Sequence, residues 1–380
     1  MIAYLKAKEE EMLQLLEKLV NIDSGSYVKS GIDEVGRILQ KEYEALGYEV
    51  CIHEQPERGN NLSIRHKEAV NPQILAIAHM DTVFVEGTVQ ERPFTRDETR
   101  AYGPGVFDMK GSQVALLYAL KALIEEKEEA YKNVEIILNT DEEIGSPESR
   151  PLIEEVAKDK KYALIVEPSQ SRETVVSQRK GGGKYFLKVT GIAAHAGGEP
   201  EKGRSAIGEL AHKIIKLHSL TNLEEGITLN VGIIQGGTSV NTISPYAYGA
   251  LDVRVETHEQ AEEVDRAIRE ICATVDVEGT SIELTGQMRR PPLILSEKSK
   301  ELLSIIQEVG GELGVEITDT KSGGGSDGNL TAAVGVATID GLGPIGGNAH
   351  SAEEFLEIDS FVDRTLFIAS IIKRLSDKRH

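Results

Sequence analysis

Two histidines and a series of carboxylates stand where apolar segments give way to loops, and their types suit a site for divalent cations. The apolar run 74–78 ends in His79-Met80-Asp81, where the alternation of an extended chain puts His79 and Asp81 on one side. A metal-binding imidazole needs a partner for its other nitrogen, and His-x-Asp offers one. The plainer reading is a histidine satisfied at a strand end. Gly103-Pro104-Gly105-Val106-Phe107-Asp108 delivers one aspartate from a glycine-rich turn just before a helical stretch. There it is either a carboxylate shared by two cations or a helix N-cap. Asp141-Glu142-Glu143 follows the run 134–138 with three adjacent carboxylates, a crowding that is unfavourable unless a cation is near or a proton is taken up. Adjacent side chains diverge, so one can bind a metal while its neighbour moves a proton. A solvated acidic turn is the alternative. The run 163–166 ends in Glu167-Pro168, and Gly346-Gly347-Asn348-Ala349-His350 brings a second histidine near the C-terminus. Each signal alone is weak. Together, mixed histidine and carboxylate donors without cysteine suit Zn²⁺ or another divalent ion, and a shared aspartate suits a two-metal site.

Positioning such a set requires a sheet. Helical spacing of Leu13, Leu16, Leu19 and Val20, and of Ile32, Val35, Ile38, Leu39 and Leu46, predicts two opening helices. The β-prone runs 48–52, 61–65, 74–78, 134–138 and 163–166 follow, with a helix over 112–126 between them. Runs apolar throughout that alternate with helices predict an α/β fold, a mostly parallel sheet flanked by helices. Ligands of such sheets bind at the carboxyl ends of the strands. After Gln178 the pattern becomes strand 185–189, helix 205–220, strands 228–234 and 247–256, helix 259–273 and strand 281–285. That β-α-β-β-α-β order predicts an inserted ferredoxin-like α+β domain, with Gly181 to Gly183 and Pro291-Pro292 as its hinges. A helix over 299–313, a strand over 336–339 and a helix over 359–375 return to the first domain. The expected division is 1–179, 180–291 and 292–380, the first and last parts forming one catalytic domain.

The chain has 380 residues, with 42 Lys and Arg against 62 Asp and Glu, a formal charge of −20. That charge argues against nucleic acid or an anionic membrane surface as a partner. Two cysteines, Cys51 and Cys272, form neither a disulfide framework nor a thiolate metal site. With no secretory or membrane-spanning apolar run, a cytoplasmic protein is expected. The glycine loop 323–328 lacks the Gly-Lys-Ser/Thr of a phosphate loop and reads as exposed backbone, and no Gly-x-Ser-x-Gly elbow occurs.

The string His79-Met80-Asp81-Thr82-Val83, Gly103-Pro104-Gly105 with Asp108-Met109-Lys110-Gly111, and Asp141-Glu142-Glu143-Ile144-Gly145-Ser146 resembles the di-zinc metallopeptidase family that includes carboxypeptidase G (glutamate carboxypeptidase). Acetylornithine deacetylase, succinyl-diaminopimelate desuccinylase, aminoacylase and peptidase T are related. The resemblance continues through Val166-Glu167-Pro168-Ser169, Ala194-His195-Ala196-Gly197, residues 323–327 and Ala349-His350-Ser351, so it spans nearly the whole chain. It implies a zinc-exopeptidase-like catalytic domain whose inserted domain is a lid and homodimerisation module. It implies further that Asp108 bridges two metal ions, zinc first, with cobalt or manganese as alternatives. His79 and Glu167 would complete one ion, Glu143 and His350 the other. Glu142 would be the general base, Asp81 a partner of His79, and His195 a lid residue that reaches the partner subunit's site and stabilises the oxyanion. Taken alone, His195 reads as a polar loop histidine. Asn241, Arg254 and Gly325 match substrate-binding positions, the guanidinium suiting a carboxylate; the alternative for Arg254 is a strand salt bridge with Asp252 or Glu256.

The sequence departs from its relatives at Ser112, where a second glycine is common, and at Met109, where carboxypeptidase G has a second aspartate. Glu167 in place of aspartate leans towards carboxypeptidase G and the deacylases. The implied activity is hydrolysis of an amide next to a free carboxylate, releasing a C-terminal amino acid, such as glutamate, from a small peptide or N-acyl amino acid. An aminopeptidase or N-acyl-amino-acid deacylase on the same site is the alternative, and a non-catalytic metal-binding protein is the alternative of another class.

Overall fold

Strand Ile74–His79 shows why its sequence lacks alternation. All six residues are buried, Ile74, Ala76 and Ala78 in one apolar cluster, Leu75 and Ile77 in another. A strand covered on both faces is apolar throughout. In the computed structural model, which describes residues 1–377, this strand pairs in parallel with Val134–Asn139 on one side and Tyr162–Ile165 on the other. The sheet has six strands in the order Tyr48–His53, Asn61–His66, Val134–Asn139, Ile74–His79, Tyr162–Ile165, Ala337–Ile339. Asn61–His66 runs antiparallel to both of its neighbours, and the other five strands share one direction. Helices Ile2–Val20, Gly111–Glu125, Glu297–Glu312 and Ile358–Asp377 feed the larger cluster; Ile153 and Ala157 of helix Arg150–Ala157 pack into the other.

Register gathers the strand ends. His79 lies opposite Asn139, and Ile77 opposite Ile165. The acidic turn that follows Asn139 and the Glu167 that follows Ile165 by two residues therefore leave the sheet level with His79. A second, small sheet runs in the order Gly346–Gly347, Phe355–Glu357, Arg100–Tyr102, Thr95–Arg96. It carries the chain from Tyr102 towards Asp108 and places His350 between two of its strands. These strands are two or three residues long, too short to leave a periodic signature.

The chain divides into two units. Arg179–Ile294 together with Ser322–Gly325 form the second, and the remainder forms the first. In the second, four antiparallel strands lie in the order Thr228–Gly236, Tyr246–Val255, Gly181–Thr190, Ser281–Arg290. Helices Ala206–His218 and His258–Ala273 cover a core that includes Tyr185, Leu187, Val189, Leu251, Val253 and Ile268. Each helix starts on a side-chain cap, Ser205 accepting from the Gly208 amide and Thr257 forming a capping box with Gln260. The strand order is that of a ferredoxin-like unit.

One expectation is corrected: Gly181, Gly182 and Gly183 are not a hinge before the strand but its first residues, paired with Val255, Arg254 and Val253. Side chains there would run into Pro292, Arg254 and Met288, so the glycines are used for close approach. Among the described residues no helix is long and apolar enough to cross a membrane, and both cysteines are free thiols.

Candidate metal centre and active site

His79, Asp108, Glu142, Glu143, Glu167 and His350 converge in the first unit. His79 is buried at the end of its strand, and its Nδ1 lies 2.9 Å from the backbone oxygen of Asp81. If Nδ1 donates to that carbonyl, the neutral ring keeps the Nε2 lone pair for a cation. Nε2 stands 3.2 Å from Asp108 Oδ1 and 3.7 Å from Glu167 Oε1. The second oxygen of Asp108 faces the other histidine, with Oδ2 3.3 Å from His350 Nε2, and Glu143 Oε2 is 3.2 Å from that same nitrogen. One aspartate thus addresses two imidazoles, with Glu167 on the His79 side and Glu143 on the His350 side. Glu142 groups with His79 and Glu167, ligand atoms of the three lying within 4.8 Å of one another. Asp108 does not cap the following helix, which begins at Gly111.

The Asp81 carboxylate faces His79 and also does a second task. That carboxylate is farther from Nδ1, at 3.4 Å, than the residue's own carbonyl. Its oxygens also accept the amides of Glu142 at 3.2 Å and Glu143 at 3.3 Å and the hydroxyl of Ser26 at 2.7 Å. It therefore holds the acidic turn against the histidine strand. Nor is that turn a solvated one: Asp141 is buried and accepts the amides of Glu148, at 2.7 Å, and Ser149, at 3.2 Å.

The electrostatics are those of excess negative charge. Burial pushes the carboxyl of Glu143 up, and that of Glu167 well up, because the ionised forms lose water. Hydrogen bonds that the ring donates to Asp108 and Glu143 push His350 up to about 10. Burial disfavours a charged His79, yet Asp108 and Asp81 outweigh it and raise its pKa well above the ordinary value. Protons on the two rings compensate the carboxylates, and cations compete for the same positions. The donors are nitrogen and oxygen without sulfur, a set that suits Zn²⁺, Co²⁺ or Mn²⁺. Glu143 Oε1 is buried with no hydrogen-bond partner, a cost that a cation would relieve.

Several supporting residues carry no sequence signal of their own. Gln113 donates its side-chain amide to the His79 carbonyl, and Met109 Sδ accepts the His79 amide at 3.2 Å. Behind the acidic turn, the buried Asp327 accepts from Asn139 and from the Ser146 hydroxyl. Glu354 is buried against the turn that carries Asp108. It follows His350 by four residues, but in so acidic a chain that spacing does not stand out.

The remaining expected site residues lie in the second unit, in two groups. The His195 segment bridges to Thr242, next to Asn241. His195 Nδ1 accepts the amides of Gly198, at 2.9 Å, and Gly197, at 3.2 Å, which puts the proton of the neutral ring on Nε2. Arg254 pairs with Asp252 at 3.0 Å, the strand salt bridge named above. It lies opposite Gly182, which also faces Arg290, and Gly325 packs against the Arg290 side chain. Asn241 and Arg254 do not converge. The bend before Tyr246 is at the Thr190 end of strand Gly181–Thr190 and Arg254 is near its start, roughly 25 Å away at ~3.3 Å per residue.

Two imidazoles sharing one aspartate, flanked by further carboxylates at the carboxyl end of a parallel sheet, form a candidate centre for divalent cations, and likeness to known proteins gives the class of protein that carries it. Residues 75–374 match the model of peptidase family M20/M25/M40, and the chain belongs to that family. It is 31% identical to carboxypeptidase G2 of Pseudomonas sp. (strain RS-16) over 371 residues, 96% of this chain and 88% of that protein. It is 24% identical to succinyl-diaminopimelate desuccinylase of Thioalkalivibrio sulfidiphilus over 387 residues, covering 96% and 99% of the two chains. Among solved structures, aminopeptidase PepT from Bacillus cereus superposes with a TM-score of 0.80 at 23% identity, over 97% of this chain and 99% of that one. A dinuclear metal-binding peptidase of the M20 family from Bacillus subtilis does so with a TM-score of 0.72 at 17% identity, over 98% and 99%. The protein is therefore an enzyme of the metallopeptidase and amidohydrolase class.

Proposed function

We propose that the protein hydrolyses an amide bond next to a free carboxylate and releases a C-terminal amino acid, glutamate first, from a small peptide or N-acyl amino acid. The observation that carries this reading is Asp108, whose two oxygens face His79 and His350 with Glu167 and Glu143 on opposite sides. These five residues would hold two divalent ions, zinc before cobalt or manganese, in keeping with the relative described as dinuclear. When bound, the ions polarise the scissile carbonyl and lower the pKa of water from ~15.7 towards ~7. Glu142, beside His79 and Glu167, takes the proton of the attacking water and passes it to the leaving nitrogen. Arg254 takes the substrate carboxylate, exchanging Asp252 for it, and Gly325, which has no side chain, lets Arg290 pack close against its backbone beside the substrate. The likeness to carboxypeptidase G2 over 96% of this chain supports the carboxylate-adjacent cleavage.

The test is a product-release assay on folyl-type glutamates, N-acyl amino acids, dipeptides and free tripeptides, before and after chelation and metal restoration. Glutamate conjugates and acyl-amino acids are expected to be cleaved, chelation to abolish turnover, and Zn²⁺, Co²⁺ or Mn²⁺ to restore it. Cleavage confined to tripeptides with a free amino end would transfer the substrate to the aminopeptidase reading, and turnover indifferent to chelation would end the metal mechanism.

The enzyme works as a homodimer in this reading. His195 and Asn241 lie at the opposite end of the second unit's sheet from Arg254, so one small substrate cannot meet both groups of a single copy. A second copy supplies His195, whose Nε2–H stabilises the oxyanion. Strand Thr228–Gly236 lies at the edge of its sheet and exposes Ile233 and Ile234, which supports self-association. His195→Ala and Glu142→Ala should each be nearly inactive. Unfolded together and refolded, they should regain about a quarter of wild-type activity, since half the dimers are mixed and each holds one complete site. No recovery in a mixture shown to exchange subunits would refute the shared site.

A further inference from the structure

Glu354 makes no contact with either imidazole of the cluster, yet it is only 1% exposed. Its Oε1 accepts the amides of Phe107 and Asp108, both at 2.9 Å, and its Oε2 accepts the amide of Gly105 at 2.9 Å. Three N–H groups of one turn thus converge on one carboxylate. Gly105 reaches this geometry with φ 75, a conformation that other residues rarely adopt. The same side chain follows His350 by four residues and adjoins strand Phe355–Glu357, which pairs with Arg100–Tyr102 ahead of the turn. Glu354 is therefore joined through the chain to His350 and through hydrogen bonds to Asp108.

Asp108 has to aim two oxygens in two directions, and ligand distances tolerate errors of only ~0.2 Å. A shift of its backbone amide would move both oxygens at once. We propose that Glu354 is a positioning residue for the shared metal ligand: by gripping the amides of residues 105, 107 and 108 it sets the angle at which Asp108 meets the two ions. The proposal rests on Asp108 being that ligand.

Glu354→Gln is the informative variant, because it keeps the shape while one accepting oxygen becomes an NH₂ that faces an amide N–H. The metal-free proteins are compared by far-UV circular dichroism and thermal melting. They are then titrated with Co²⁺, followed by its d–d absorption, and with Zn²⁺ against a competing chelator. A folded E354Q with an altered cobalt spectrum and 10–100-fold weaker binding of at least one ion is expected. Glu353→Gln, the exposed neighbour, should match wild type in both. Wild-type affinity and spectrum in E354Q would overturn the proposal. Should E354Q fail to fold, Glu354→Asp, which keeps the charge but withdraws it by one methylene, carries the same comparison with the same expected and overturning results. Asp108→Asn separates the two levels: if it too binds two ions normally, the site reading fails; if it loses an ion while E354Q does not, only the role of Glu354 fails.

Discussion

Replacing Glu142 with glutamine is expected to lower kcat by ~10²–10⁴-fold, the usual contribution of a positioned proton-transfer group, with metal content and fold unchanged. Glutamine has the same size and leaves the backbone amide at this position free to donate to Asp81, so the turn stays docked on the histidine strand. What it cannot do is accept the proton of the attacking water. Because that proton moves only on the way to the transition state, kcat should fall with little change in KM. Steady-state kinetics on a cleaved conjugate, with metal analysis of the same samples, provides the check. Retained turnover in a variant with full metal content would move the base elsewhere in the cluster.

Asp108→Asn is expected to reduce bound metal below two ions per chain and to lower kcat/KM by at least ~10³-fold, since several kcal/mol of charge stabilisation disappears. The reason is geometric as well as electrostatic. Asp108 presents one oxygen to His79 at 3.2 Å and the other to His350 at 3.3 Å, and asparagine retains only one oxygen and no charge. It can satisfy one side at most. Elemental analysis after gel filtration, beside the kinetics, reads both effects. Two tightly held ions in the variant would show that the aspartate is not shared.

Much of this site is written in local sequence. His79, the acidic turn and Glu167 each end a short apolar run, and burial on both faces leaves such runs free of alternation. The strand and helix order of the inserted unit is likewise local, since amphipathic spacing and caps such as Thr257 and Gln260 act within a few residues. The glycines at 181–183 misled because glycine signals both a turn and a close approach, and only the facing Arg254, Met288 and Pro292 distinguish the two.

From the sequence alone came the metal-binding side-chain types, the parallel sheet that presents three of the segments, and the family resemblance. The tertiary structure decided the rest: that Asp108 meets His350 through a small sheet of two- and three-residue strands, that the Asp81 carboxylate also serves the acidic turn, and that Asn241 and Arg254 stand apart. The physical reason is range. Periodicity and capping are decided by neighbours a few residues away. Hydrogen bonds such as those from Gly105, Phe107 and Asp108 to Glu354 join segments about 250 residues apart, and no local pattern encodes which of the chain's many carboxylates receives them.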